Sequence, residues 1–189
     1  MARDQADSVF VGRPCYYGLN KDLGCDPELW TFSRYSKDVV SSMAKVVQDL
    51  SVQGGYEEIR IIGYSGGGAI ARLMASDIPN LVGILTVAAN LDIDAWTTLH
   101  KYLPLHDSEN PANLPPLPFD IVHVQAIGGK DKVVPRSITR DYLNKGNALE
   151  VWTYPDFDHV CCWVDEWPSV LARFEANLSS HPGNALTSN

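Results

Sequence analysis

The stretch Ile59-Arg60-Ile61-Ile62-Gly63-Tyr64-Ser65-Gly66-Gly67-Gly68-Ala69-Ile70-Ala71 decides the fold. Apolar and β-branched residues run into a serine walled in by glycines. Read as G-x-S-x-G, the segment Gly63 to Gly67 predicts a strand, a sharp turn and a helix, with Ser65 on the turn. Such a turn forces the serine into a strained backbone. The residues two before and two after it are expected to lack side chains, so that strand and helix can pass each other. Gly67, Gly68 and Ala69 let the helix lie close to the sheet. The helix N-terminus brings free N–H groups and a positive dipole end to the hydroxyl. A phosphate-binding loop is the rival reading of these glycines, but its Gly-Lys-Ser/Thr ending is missing.

Outward from this segment, strands and helices alternate. Glu57 to Tyr64 is the strand and Gly66 to Ser76 the helix. Leu81 to Ala89, Ile121 to Ile127 and Leu149 to Tyr154 read as further apolar strands. Ser8 to Gly12 reads as a short buried strand before them, which makes about five in all. From Ser36 to Leu50, the residues Val39, Val40, Met43, Val46, Val47 and Leu50 recur at three- and four-residue spacing, one face of an amphipathic helix. Ser36 suits its N-cap and Asp38 its positive first turn. Helices are also expected from about Pro135 to Asn144 and from about Trp163 to Leu178. The second turns Val164, Trp167, Val170, Leu171 and Phe174 inward. Alternation of this kind predicts a mostly parallel sheet with helices on both faces.

The 189 residues fit one domain, residues 1–178, with a polar, frayed tail over 179–189. The segment from Asn90 to Pro118 breaks the alternation. It carries Trp96, His100, Tyr102 and five prolines. An excursion of this length in a compact domain is usually functional or mobile, and we read it as a cap over a site at the strand ends.

Apolar residues make up 45% and charged residues 20%, and the net charge is -8. That charge argues against nucleic acid and against an anionic membrane surface. No run approaches the roughly 20 apolar residues of an integral membrane segment. The opening MARDQADS is too polar for a signal peptide. A periplasmic or exported location is expected if a leader lies upstream, and a cytoplasmic one otherwise. Cys15, Cys25, Cys161 and Cys162 do not match zinc spacing, so no metal site is expected. They allow three disulfide pairings. Cys15 and Cys25 flank a Gly/Asn-rich loop that a disulfide could staple, and buried free thiols are the alternative.

A serine hydroxyl is a poor nucleophile until a base takes its proton and a third group orients the base. Asp131 follows the strand that ends at Ile127, and His159 lies in the loop beyond the next strand. Both should emerge at the carboxyl edge of the sheet beside Ser65. His123 sits within a strand and reads as a core residue. His100 and His106 lie in the cap, and His181 in the tail. Asp92 and Asp94 are the rival acids, and Asp156 and Asp158 are read as shaping the loop of His159.

Gly63-Tyr64-Ser65-Gly66-Gly67, the run Gly129-Lys130-Asp131-Lys132-Val133-Val134-Pro135 and the pair Asp158-His159 together resemble the α/β-hydrolase superfamily. The likeness covers about Val9 to Leu178. The stretches GRPCYYGL, FSRYSKDVV, VAANLDIDAWTTLH and FDHVCCW resemble an uncharacterised bacterial group of these hydrolases, often exported or lipoprotein-like. The resemblance implies an α/β-hydrolase fold, with Ser65 as nucleophile, His159 as base and Asp131 as orienting acid. It implies the N–H of Gly66 as one oxyanion donor. The strands that usually open this fold are not seen in the sequence. The second donor is therefore expected from the N–H of Cys15 or Tyr16, since Pro14 has none.

The expected function is a carboxylesterase working on small or medium esters through an acyl-enzyme, with no metal or organic cofactor. Tyr64 and Trp96 are expected to touch substrate. A thioesterase, peptidase or acyltransferase would use the same three residues. A hydrolase-like binding protein with impaired catalysis is the alternative of another class. A thiol nucleophile at Cys15 or Cys161 is disfavoured, because neither sits in such a turn. An uncovered sheet edge would also favour a homodimer.

Overall fold

The structure, a computed structural model, describes residues 7–145 and 150–181. Among the described residues, four parallel strands form one sheet in the order β1-β2-β3-β4. They are β1 (Ile59–Tyr64), β2 (Leu81–Val87), β3 (Val122–Gly128) and β4 (Glu150–Tyr154). Among the described residues, five α-helices surround them: α1 (Lys37–Gly54), α2 (Gly66–Leu73), α3 (Ile93–His100), α4 (Arg140–Asn144) and α5 (Trp163–Ser180). Each sequence-predicted strand from Glu57 onward is present, within one or two residues at its ends; Leu149 lies outside the described residues.

The expected fifth strand is not formed. Residues 8–12 pair with no strand, and Val9 and Phe10 are 62% and 58% exposed. Val11 alone turns toward the core. Phe10 meets the Tyr17 ring edge-on at 5.3 Å. The segment is thus held by local aromatic packing rather than by a ladder. Three apolar residues in a row lack the length to distinguish strand from coil by pattern. The Cys15–Cys25 disulfide closes the following loop. A second disulfide joins the adjacent Cys161 and Cys162, a pairing the sequence did not single out.

Helix α1 follows its sequence signals. The Ser36 side chain accepts from the Val39 N–H, and Gly55 ends the helix in the left-handed conformation at φ 65°. Val39, Val40, Met43 and Ala44 bury one face against α2 and β1 residues. Burying each of the larger ones removes apolar surface worth about 1.5–3 kcal/mol. Helix α5 covers the other face through Trp163, Val170, Phe174 and Leu178, over Val87, Val124 and Trp152. Val164, expected on that face, is 73% exposed. Trp163 takes the inward position at the start of the helix, and its neighbour is turned about 100° away. Helix α2 is shorter than expected, passing into a 3-10 turn at Ala75–Asp77. Helix α4 starts only at Arg140, because residues 136–139 form turns beyond the loop of Asp131.

The segment after β2 is built rather than loose. Asp92 caps α3 by accepting from the Ala95 N–H. Asn110 accepts from the N–H groups of Ile93 and Ala112 and donates to Asp92 and Asp94. Leu91, Ile93, Leu105 and Ala112 are buried. Helix α5 runs to Ser180, and His181 is buried with its ring 5.1 Å from that of Phe119. Residues 182–189 lie outside the described residues.

The steric logic of the turn differs by one glycine from the sequence reading. A Cβ on Gly63 would sit 2.5 Å from the Gly67 carbonyl oxygen and 2.6 Å from the Gly68 Cα. A Cβ on Gly68 would sit 2.3 Å from the Ala89 Cβ. A Cβ on Gly67 would meet nothing within 4 Å. The close crossing is therefore between Gly63 and Gly68, and Gly67 is free to change. Gly63→Ala should cost about 1–3 kcal/mol in urea unfolding, because backbone must move. Gly67→Ala should be neutral or stabilise by up to about 1 kcal/mol, as glycine is a poor helix former. Equal stabilities for the two variants would contradict this crossing.

Candidate functional site

Ser65 sits between β1 and α2 at φ 51° and ψ -122°, a left-handed state that is rare for a residue with a side chain. Its N–H donates to the Val87 carbonyl at 2.9 Å, which pins the turn to β2. The following Gly66 opens α2, where the first N–H groups have no intrahelical partner.

Asp131 lies just past β3 and His159 past β4. Gly128 and Gly129 let those two loops touch. A Cβ on Gly128 would lie 2.7 Å from the Phe157 carbonyl oxygen, and one on Gly129 would lie 2.6 Å from that of Pro155. In the space so gained, the Gly129 N–H donates to the Tyr154 carbonyl and the Lys130 N–H to the Phe157 carbonyl, each at 2.8 Å.

The three residues meet in one line of hydrogen bonds. His159 Nε2 is 3.1 Å from Ser65 Oγ, and His159 Nδ1 is 2.8 Å from Asp131 Oδ2. The Asp131 side chain is fully buried, and its other oxygen accepts from the N–H groups of Val133 and Val134 at 2.8 Å each. Burial alone pushes the Asp131 pKa up. The hydrogen bond to His159, the Val134 and Val133 amides and the charge of His159 outweigh it and hold the pKa below the ordinary 3.8. The group is thus a carboxylate that faces the imidazole as an acceptor.

Other side chains hold the imidazole in place. The Tyr64 hydroxyl donates to the His159 carbonyl, and its ring lies 5.4 Å from the imidazole. Tyr64, expected to touch substrate, also braces the histidine loop. Asp158 accepts from the N–H groups of Val160 and Cys161, and those bonds hold its own pKa down. Sequence reading gave Asp158 this loop-shaping role. Asp156 instead pairs at the surface with Lys130. The Trp96 indole N–H donates to the Val133 carbonyl at 2.9 Å, and His100 Nε2 lies 2.8 Å from the same oxygen. Trp96 therefore ties α3 to the loop of Asp131, and its ring also packs against His100 and Tyr102.

The remaining candidates fall elsewhere. Asp92 and Asp94 serve α3 and Asn110, not His159. His123 is buried within β3 beside Tyr142. The Tyr16 N–H, expected as an oxyanion donor, instead donates to the Arg13 carbonyl at 3.3 Å and closes a turn. A groove of about 860 Å³ between α3 and α4 is lined by Asp94, Asn110, Asp141 and Lys145, and neither Ser65 nor His159 borders it. Among the described residues, Glu28, His106 and Asp107 bring three metal-ligating atoms within 4.8 Å of one another. All three are solvent-exposed and none is part of the Ser65 line. Among the described residues, no helix is long and apolar enough to cross a membrane.

No family model and no curated protein matches the sequence. Solved structures do resemble the fold. An α/β-hydrolase enzyme from a lagoon-sediment metagenome of Mar Chica, Morocco, superposes with a TM-score of 0.55 at 17% identity, over 74% of this chain and 71% of that one. An esterase from Pyrococcus furiosus gives 0.56 at 16% identity, over 77% and 63%. An esterase from Exiguobacterium antarcticum gives 0.55 at 14% identity, over 75% and 74%. The match thus spans between 63% and 74% of the lengths of these three structures. Identities this low carry the fold: the chain has the α/β-hydrolase fold.

The Asp131 pKa makes a stability prediction. A carboxyl whose folded pKa is depressed contributes stability above its unfolded value, and loses it as pH falls through the folded one. Asp131 therefore helps stabilise the protein fully above the ordinary 3.8 and progressively less below it. Thermal unfolding of Asp131→Asn should vary less between about pH 2 and 5 than that of the wild type. Parallel melting curves against pH for the two proteins would contradict the depressed pKa.

Proposed function

We propose that this chain, with its α/β-hydrolase fold, is a serine hydrolase: a carboxylesterase acting on small or medium esters. The observation that carries the reading is the unbroken line from Ser65 Oγ through both nitrogens of His159 to the buried Asp131. Two of the similar structures are themselves esterases.

In this reading His159 Nε2 removes the Ser65 proton as Oγ attacks the ester carbonyl carbon. Nδ1–H stays on Asp131, which fixes the tautomer and stabilises the imidazolium that forms. The tetrahedral oxygen takes up negative charge beside the Gly66 N–H at the start of α2. Collapse breaks the carbon–oxygen bond to the alcohol, which leaves with the proton from His159. Water then attacks the acyl-serine. His159 takes its proton and returns it to Oγ, and the acid departs. The exposed Tyr64 ring beside His159 suits short, uncharged acyl or alcohol groups. The segment of residues 90–118, tied to the loop of Asp131 through Trp96, would serve as a cap over the site.

A fluorophosphonate probe should add once to the wild-type protein by intact mass and not at all to Ser65→Ala. Hydrolysis of p-nitrophenyl acetate or butyrate should fall at least about a thousandfold in the same variant. A wild-type protein that takes no probe, or a variant that still does, would overturn the proposal.

A further inference from the structure

The Gly66 N–H is one donor for a developing oxyanion, and one donor is rarely enough. The Tyr16 N–H is spent on Arg13. The structure places another group at Gly66. A Cβ built there would lie 2.6 Å from the Tyr35 hydroxyl and 3.5 Å from its Cζ. Within one residue Cβ and N are about 2.5 Å apart, so the hydroxyl lies no more than about 5 Å from the Gly66 nitrogen. Two donors that each reach one oxygen at about 2.9 Å can stand up to about 5.8 Å apart. The pair is therefore close enough for both to reach a single atom.

Tyr35 is also held as a donor should be. Its ring is buried in the core, with the residue 5% exposed. Its N–H donates to Ser108 Oγ at 3.1 Å, and its carbonyl accepts from the Glu109 N–H at 3.0 Å. Ser108 Oγ in turn donates to the Phe32 carbonyl at 2.6 Å. Among the described residues none hydrogen-bonds the Tyr35 hydroxyl. The Arg13 guanidinium, stacked on Tyr16, lies 6.0 Å from the Tyr35 ring centre and adds positive potential on this side. Burial raises the pKa of the phenol, against the lowering effect of Arg13 and Arg34. The phenol therefore keeps its proton at neutral pH and can donate it as a hydrogen bond.

We propose that the Tyr35 hydroxyl is the second oxyanion donor, acting beside the Gly66 N–H. It touches the reacting atoms and is a catalytic residue in that sense. The bond it makes is absent in the planar ester and forms as the carbonyl oxygen moves toward the tetrahedral position. Its contribution therefore falls on kcat rather than KM. This inference rests on the serine-hydrolase reading, and the experiment separates the two.

The test compares wild type, Ser65→Ala and Tyr35→Phe on p-nitrophenyl butyrate, with fluorophosphonate labelling as the control for the hydrolase reading. Tyr35→Phe should lower kcat about a hundred- to a thousandfold with KM little changed. Inhibition by an aryl trifluoromethyl ketone, whose hemiketal oxygen copies the oxyanion, should weaken by a similar factor. A loss of packing alone would not produce that parallel. If Tyr35→Phe does not fold, 3,5-difluorotyrosine at position 35 keeps the ring and decides the matter. Its activity should fall as pH rises through ionisation of the fluorinated phenol, while wild type holds. Wild type labelled at Ser65 with Tyr35→Phe within about threefold of it in kcat overturns the role of Tyr35 and leaves the hydrolase reading standing. A fluorotyrosine variant whose pH profile matches wild type overturns it equally. Wild type without labelling or turnover overturns both.

Discussion

Everything at the carboxyl edge of the sheet depends on Ser65 being held at φ 51°. A backbone in that region costs on the order of 1–3 kcal/mol and persists only where its surroundings impose it. Here the imposition is steric and local. Gly63 and Gly68 pass so closely that either side chain would collide with backbone or with Ala89. The Ser65 N–H is meanwhile tied to the Val87 carbonyl on the next strand. The chain must leave β1 and enter α2 in a single residue. That residue is lifted above the sheet with its hydroxyl facing the loops beyond β3 and β4.

Those loops meet the serine because parallel strands end on the same side. All four strands run in one direction, so the residues after β1, β3 and β4 share one edge without any long detour of the chain. Edge sharing gives only coarse proximity. The last few ångströms come from Gly128 and Gly129, which allow carbonyl groups of the histidine loop against the backbone of the acid loop. Hydrogen bonds from Gly129 and Lys130 then fix one loop to the other. Asp131 and His159 are therefore held by backbone, and their 2.8 Å contact does not depend on two free side chains finding each other.

Local patterns in the sequence were readable where the cause was itself local. Ser36 announced the start of α1, the glycines around Ser65 announced the turn, and alternation of apolar runs with amphipathic ones announced the layered sheet. Features set by remote contacts were not readable. Gly68 rather than Gly67 is the constrained glycine because Ala89, two residues past the end of β2, stands opposite it. Tyr64 reaches the His159 carbonyl across 95 residues of sequence, which no spacing rule encodes. Val9 and Phe10 carry a strand-like pattern, yet an apolar pattern forms a strand only where a neighbour offers a ladder. The position of Tyr35 against Gly66 belongs to the same class: a tyrosine one residue before a helix cap looks like ordinary core.

The segment between β2 and β3 bears on both sides of the serine at once. On one side Ser108 and Glu109 bracket the main chain of Tyr35 just before α1. On the other, Trp96 and His100 converge on the Val133 carbonyl, next to the amides that hold Asp131. Asn110 joins the two halves by bonding α3 to the turn at Pro111–Asn113. Such a segment links the two flanks of the serine. Moving α3 would disturb the Val133 carbonyl and, through the adjoining amides, the carboxylate that orients His159. Moving the Ser108 turn would release the tyrosine beside Gly66. The stability of this excursion and the geometry around Ser65 are thus coupled through a few main-chain contacts, and a substitution that loosens Asn110 should be felt at the serine without touching it.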